Sequence, residues 1–505
     1  TGAGGLLNRR DFLAHALGAG VALAPGVLPS PARGSSLWGE PRGGTEGWLP
    51  ADGERTQRLL DIHLYGGVSY YDSFYVVEEH GADDGTGWHL DLAERRAMYE
   101  KTCGWDLSEG LVYVGDDADG FPVRFGPATR ALTDRDDLMA RLRVLVMSHG
   151  NGAHALGVPV MMTGMRFGDP RQAGIGAHVQ RYVRARAAGT VPAAYHLVPI
   201  DFYDQDNLLM GDAGGLHPAS MRPLSIKVRA DSALPSLLRR EAAGDRRAAM
   251  DALTAHYIEQ TRARYVHPTA GALRSRGLDD YTVAASAFAG SPALAELLGD
   301  DFLARVDARS CGAVDPVYLS GMGLHTAVDL LTHPTDPAHC CTVVDTGFDA
   351  RFAYDTHYGD HFPTQTRSLQ SLLETLVPRI NRPGEHDPAK IDLDTTMIAL
   401  TTEFGRTPTR EYDYVGSTAH NPRGFAVVLI GGAIRAEHAG IEGAIPASGR
   451  ADDAVSPAEL RAGILASFGI HPFEDESFRP DDFEGACDEV EATERLMTRV
   501  LGRRP

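Results

Sequence analysis

The sequence predicts an α/β domain built on a mostly parallel sheet with helices on both faces. Three observations lead there. Short apolar runs recur at 58–65, 143–147, 195–200, 341–344, 397–400 and 425–430, each bounded by turn residues, as buried parallel strands are. Between several of them lie segments of helical spacing, so that strands and helices alternate. The runs end in glycine, aspartate, glutamate or arginine, at the carboxyl ends where an open α/β sheet presents its chemistry.

The 505 residues, 43% of them apolar, suit one large domain with insertions. Lys and Arg total 48 against 68 for Asp and Glu, a net charge of −20. That balance argues against non-specific nucleic-acid binding, which rests on basic patches. The five cysteines are odd in number and lack metal-ligand spacing. Cys340 and Cys341 sit in a predicted strand and read as buried thiols; one disulfide is allowed but cannot be assigned.

Asn8-Arg9-Arg10-Asp11-Phe12-Leu13, a mildly apolar run over 12–28 and small residues near Ala32 read as a twin-arginine export signal or anchor over 1–32. The bland alternative is an Arg-Arg pair before an amphipathic segment. Residues 33–54 read as a linker and 55–505 as the main domain.

In the first strand, over 58–65, Leu60, Ile62 and Leu64 alternate with Asp61 and His63. It ends in Gly66-Gly67-Val68-Ser69, then Asp72. Residues 78–137 read as a loop-rich insertion. After the strand at 143–147 come His149 and His154, which either ligate or are satisfied structurally. A helix is expected over 175–187 on the spacing of Ile175, Val179, Tyr182 and Val183. Residues 223–228 suit a further strand, and 234–333 a mostly helical insertion. The strand at 341–344 leads to Asp355-Thr356-His357 and His361. A helix follows with Leu369, Leu372, Leu373 and Leu376 on one face. The strand at 397–400 runs into Glu403-Phe404-Gly405-Arg406-Thr407-Pro408, and His420-Asn421-Pro422 precedes the strand at 425–430. A last helix covers 459–468.

Asp355, His357, Glu403 and His420 form the strongest chemical cluster. Carboxylate and imidazole together suit Zn, Mn or Fe. Such an ion activates water and polarises a phosphoryl or sulfuryl oxygen. Arg406 offers a planar fork to an anionic substrate, and His361 a further ligand or general acid. The alternative has Asp355 and His357 capping the next helix, with Glu403 and Arg406 as a structural ion pair. No Gly-x-Ser-x-Gly elbow, phosphate-binding P-loop or dinucleotide fingerprint is present.

Taken together, these motifs resemble the domain of unknown function 1501 family, of the alkaline phosphatase and sulfatase superfamily. Gly66-Gly67-Val68-Ser69 with Asp72-Ser73-Phe74, Ser148-His149 through Gly164, Tyr354-Asp355-Thr356-His357, Glu403 to Pro408 and His420 to Gly432 carry the likeness. The resemblance implies an alkaline-phosphatase-like α/β/α sandwich with metal ligands at strand ends. Those ligands would be Asp355, His357, Glu403 and His420, with Asp72 as an extra one and Ser69 as a candidate nucleophile. It departs at Phe404, where the superfamily turn has a histidine ligand, at Ala419 and at Val68, so one ion (Zn, Mn, Fe or Ca) or none is expected. Two functions follow. One is an exported metal-dependent hydrolase of phosphate or sulfate esters; the other is a non-catalytic phosphatase-fold subunit of an extracytoplasmic assembly, membrane-associated through the N-terminal segment.

Overall fold

Arg58–Leu64 (β1) lies at the middle of an eight-stranded sheet in the computed structural model. The structure describes residues 45, 47–81, 100–101, 103–104, 110–186, 194–199, 223–228, 252–253, 256–257, 259–260, 308–310, 313–315, 318–347, 354–355, 357, 362–408, 418–473 and 477–504. The expected export signal, most of the linker, most of the 234–333 insertion and His361 lie outside these residues.

The other strands are Leu142–Met147 (β2), Ala194–Pro199 (β3), Leu224–Val228 (β4), Cys340–Asp345 (β5), Thr396–Thr401 (β6), Phe425–Gly431 (β7) and Gly440–Glu442 (β8). Their order is β8-β2-β7-β6-β1-β5-β3-β4. From β6 through β1, β5 and β3 to β4 every pairing is parallel. β7 is antiparallel to both β6 and β2, so β2 runs the same way as β6. The sheet is thus mostly parallel, with one reversed strand that its uniformly apolar sequence does not reveal.

The two faces bury different residues of the same strands, as the period of two requires. Leu60, Ile62, Leu64, Val343, Ile398 and Val428 pack on one side, with Leu319–Leu331 (α3) and Phe362–Leu376 (α4). Leu59, Cys340, Met397, Ala399 and Val427 pack on the other, with His154–Thr163 (α1), Ile175–Arg186 (α2), Pro457–Ser467 (α5) and Glu489–Arg495 (α6). The polar partners in β1 do not face water: Asp61 and His63 are both buried. Leu369, Leu372, Leu373 and Leu376 are all buried along α4, as their spacing predicts. α5 begins with a capping box in which Ser456 and Glu459 satisfy each other's backbone N–H.

Within 78–137, Val112–Asp116 and Pro122–Phe125 pair with each other, and the latter pairs with Val76–Val77, making a three-stranded antiparallel sheet. Cys340 and Cys341 are buried thiols outside any disulfide, and Cys103 is disulfide-bonded. Among the described residues no helix is long and apolar enough to cross a membrane.

Candidate functional site

The reversal of β7 shapes the site. Residues before β7 reach the same rim as residues that follow β1, β6 and β2. Gly66-Gly67, Glu403, His149 and His420 therefore meet although their strands differ in direction.

Two glycines make the first turn. Gly66 and Gly67 have φ of +118° and +87°, a region that favours glycine. A Cβ on Gly66 would lie 2.5 Å from the Asp355 backbone nitrogen, and one on Gly67 2.7 Å from the Phe404 ring. This close approach lets Arg406 bind the Gly66 and Gly67 carbonyls and the Asp355 carboxylate together. Arg406 is fully buried; its Nη1 makes no hydrogen bond.

Asp355 stands at the centre. Its Oδ1 is bound by Arg406 and lies 3.2 Å from His357 Nε2 and 3.7 Å from His420 Nε2. Its Oδ2 lies 3.6 Å from His154 Nε2. One potential ligand atom each from His154, Asp355 and His420 lie within 4.8 Å of one another. His357 Nε2 is 2.8 Å from His420 Nε2, placing a third imidazole at this point.

Glu403 is buried behind this group. Its Oε1 accepts from the Gly66 backbone N–H at 2.8 Å and meets His154 Nδ1 at 2.7 Å. Its Oε2 is 3.4 Å from His63 Nε2. His149 Nδ1 accepts from the Asn151 N–H, so its Nε2–H donates to the Glu403 carbonyl at 2.5 Å. Phe404 packs against two of the imidazoles. Its ring stacks on His420 at 4.2 Å and lies 5.0 Å from His154. Tyr65 also stacks on His154 at 5.0 Å.

The electrostatics follow from this packing. Burial pushes the Asp355 carboxyl up, but Arg406 and the neighbouring histidines outweigh it and hold it well below the usual carboxylate range. Burial acts on Glu403 in the same sense, and His154 and His63 overcome it, lowering the carboxyl. Burial disfavours charge on His154, yet Asp355 and Glu403 raise it to about 9. His420 moves the other way: burial lowers it, opposed by Asp355 and supported by Arg406.

The structure thus brings together Asp355, His357, Glu403, Arg406 and His420. Arg406 pairs with Asp355 rather than with Glu403. Ser69 lies in the turn after β1, where its backbone N–H binds Gln365. Asp72 lies in the next turn, Tyr70–Asp72, and is not in the compact set of three ligands. His154 and His63 are the residues that sequence reasoning left out of the site. The signal for His154 was its spacing from His149 beside three small residues, and it did not show which histidine faces inward.

The donor set fits a divalent transition ion. His154 Nε2 is a buried nitrogen without a hydrogen bond, directed to a carboxylate. Imidazoles with one carboxylate suit Zn, Mn or Fe. Calcium, which takes oxygen ligands, fits poorly. No curated protein matches the chain. Residues 389–483, which carry Glu403, Phe404, Arg406 and His420, match the family described as "Protein of unknown function (DUF1501)", in support of the resemblance read from the motifs.

Proposed function

We propose that this chain is an exported, metal-dependent hydrolase of phosphate or sulfate esters with an alkaline-phosphatase-like fold. The observation that carries the reading is the convergence of His154, His420 and Asp355 at the carboxyl rim of the parallel strands. His154, Asp355 and His420 would hold the ion, with His357 beside them. When bound, the ion would supply Lewis acidity towards an ester oxyanion and lower the pKa of water.

The chain's own groups do the rest. Arg406 keeps Asp355 ionised and ties it to the Gly66-Gly67 turn. Phe404 and Tyr65 both pack against the His154 ring. His357 and His420 stay partly open to solvent and could place a proton on a leaving group. Replacing the proton on His154 by a divalent cation leaves one net positive charge among the two carboxylates and Arg406. That sign suits an anionic substrate. Export is consistent with the disulfide at Cys103, since disulfides persist in oxidising compartments.

A second reading is favoured by the pairing of both carboxylates within the protein, Asp355 with Arg406 and Glu403 with His154. An imidazolium balanced by carboxylates needs no ion, as in a non-catalytic subunit of an exported complex. Elemental analysis of the natively purified chain, followed by assays on p-nitrophenyl phosphate and p-nitrophenyl sulfate, separates the two. The hydrolase reading expects about one zinc, manganese or iron per chain and turnover that His420→Ala abolishes. A metal-free, folded chain recovered with a stoichiometric protein partner would support the subunit reading.

A further inference from the structure

We infer that Glu403 is a positioning residue and not a metal ligand, and that His154 supplies the ligand that Phe404 cannot. The inference rests on the metal reading of the rim site. It reverses the assignment that the superfamily resemblance gives to Glu403.

Three observations carry it. First, both Glu403 oxygens are engaged within the protein, Oε1 by the Gly66 N–H and His154 Nδ1 and Oε2 by the Thr402 hydroxyl with His63 Nε2 3.4 Å away, and the side chain is fully buried. Secondly, an acceptor behind Nδ1 fixes the tautomer of His154. With Nδ1–H donating to Glu403, the lone pair of the neutral ring is on Nε2, the nitrogen that faces Asp355 without a hydrogen bond. Thirdly, His420 repeats the arrangement. Its Nδ1–H donates to the Gly152 carbonyl at 2.5 Å, and its Nε2 faces the other Asp355 oxygen. Two histidines from different elements are thus held from behind and present the same nitrogen to one carboxylate. Metal-binding histidines are oriented in this way by carboxylates and carbonyls.

His149, five residues before His154, has both nitrogens occupied and faces the Glu403 backbone. It holds the Glu403 backbone, and the Glu403 carboxylate in turn holds His154. Phe404, where the superfamily turn carries a ligand, instead packs against both imidazoles.

The test loads the full-length chain with Co²⁺ and records the visible d–d spectrum, the affinity and the number of imidazole ligands by X-ray absorption. Glu403→Gln should weaken binding by about 10–100-fold and leave the spectrum unchanged, because the ligands are the same. Glu403→Ala should weaken it further, so that the amide counts as partial rescue. His154→Ala should change the spectrum and remove one imidazole. The X-ray absorption comparison of unmodified and His154→Ala chains still decides if Glu403 variants fail to fold. A spectrum that changes in Glu403→Gln but not in His154→Ala would make Glu403 the ligand and overturn the inference while sparing the metal site. No Co²⁺ binding by the unmodified chain would overturn the metal reading and this inference with it.

Discussion

Two charged clusters lie along neighbouring strands, and they differ in what surrounds them. In the interior, Asp61 of β1 pairs with Arg461 of α5, with side chains 2% and 1% exposed. Arg461 also donates to the Met161 carbonyl, and Thr401 donates to Asp61. At the rim, Asp355 pairs with Arg406 in the same way, but its carboxylate is 15% exposed and three imidazoles converge on it. Both clusters contain a carboxylate and an arginine. Only the second leaves an open side and ligand atoms aimed at a common point. Buried charge alone marks structure; buried charge with converging, reachable lone pairs marks a candidate site.

The strongest break of this comparison is in the interior. Arg461→Ala leaves Asp61 buried and unpaired and should destabilise the chain by about 3–5 kcal/mol. Chemical denaturation measures it, and Co²⁺ affinity of the folded fraction should stay the same. Gly66→Ala acts at the junction of the two regions. Its backbone is strained for any other residue and its Cβ would meet Asp355, so a loss of at least about 1–3 kcal/mol is expected, together with weakened metal binding.

Acid separates the regions further. Burial lowers His178, and also His196, to about 3 from 6.5. The unfolded chain therefore binds more protons between those values, and stability falls as pH drops through that window. The slope is about 1.4 kcal/mol per pH unit for each histidine. Asp355 and Glu403, whose carboxyls are lowered, add their own loss as pH falls below about 4, the ordinary carboxylate range. Denaturation midpoints from pH 7 to 4 should show a decline that His178→Gln reduces. His420→Ala should have the smallest effect on stability, under about 1 kcal/mol, because this side chain is partly exposed. Its effect on Co²⁺ binding should nevertheless be large. A stability loss as great as that of Arg461→Ala would make the rim cluster structural.

Much of this was legible in the sequence. The apolar runs locate the strands, and Asp355, Glu403, Arg406 and His420 stand out because each follows or precedes such a run. Strand direction was not legible, because β7 is buried on both faces and has no alternation to read. Nor was the partnership of His154 with Glu403, which joins residues 249 positions apart. Phe404 looked like a lost ligand when read in isolation. Its two aromatic contacts with imidazoles appear only when distant segments are brought together.

The Gly66–Glu403 hydrogen bond spans 337 residues, and the His154–His420 contact joins the second strand to the seventh. Such pairings close very large loops, which slows folding. The pairing of β1 with β6 closes a loop of the same size, so the rim is completed together with the centre of the sheet and not from local contacts. A chain interrupted before His420 would hold most of the sheet's parallel strands and lack a finished rim. Metal capture, measured during refolding, would then report completion of the sheet's centre rather than local contacts.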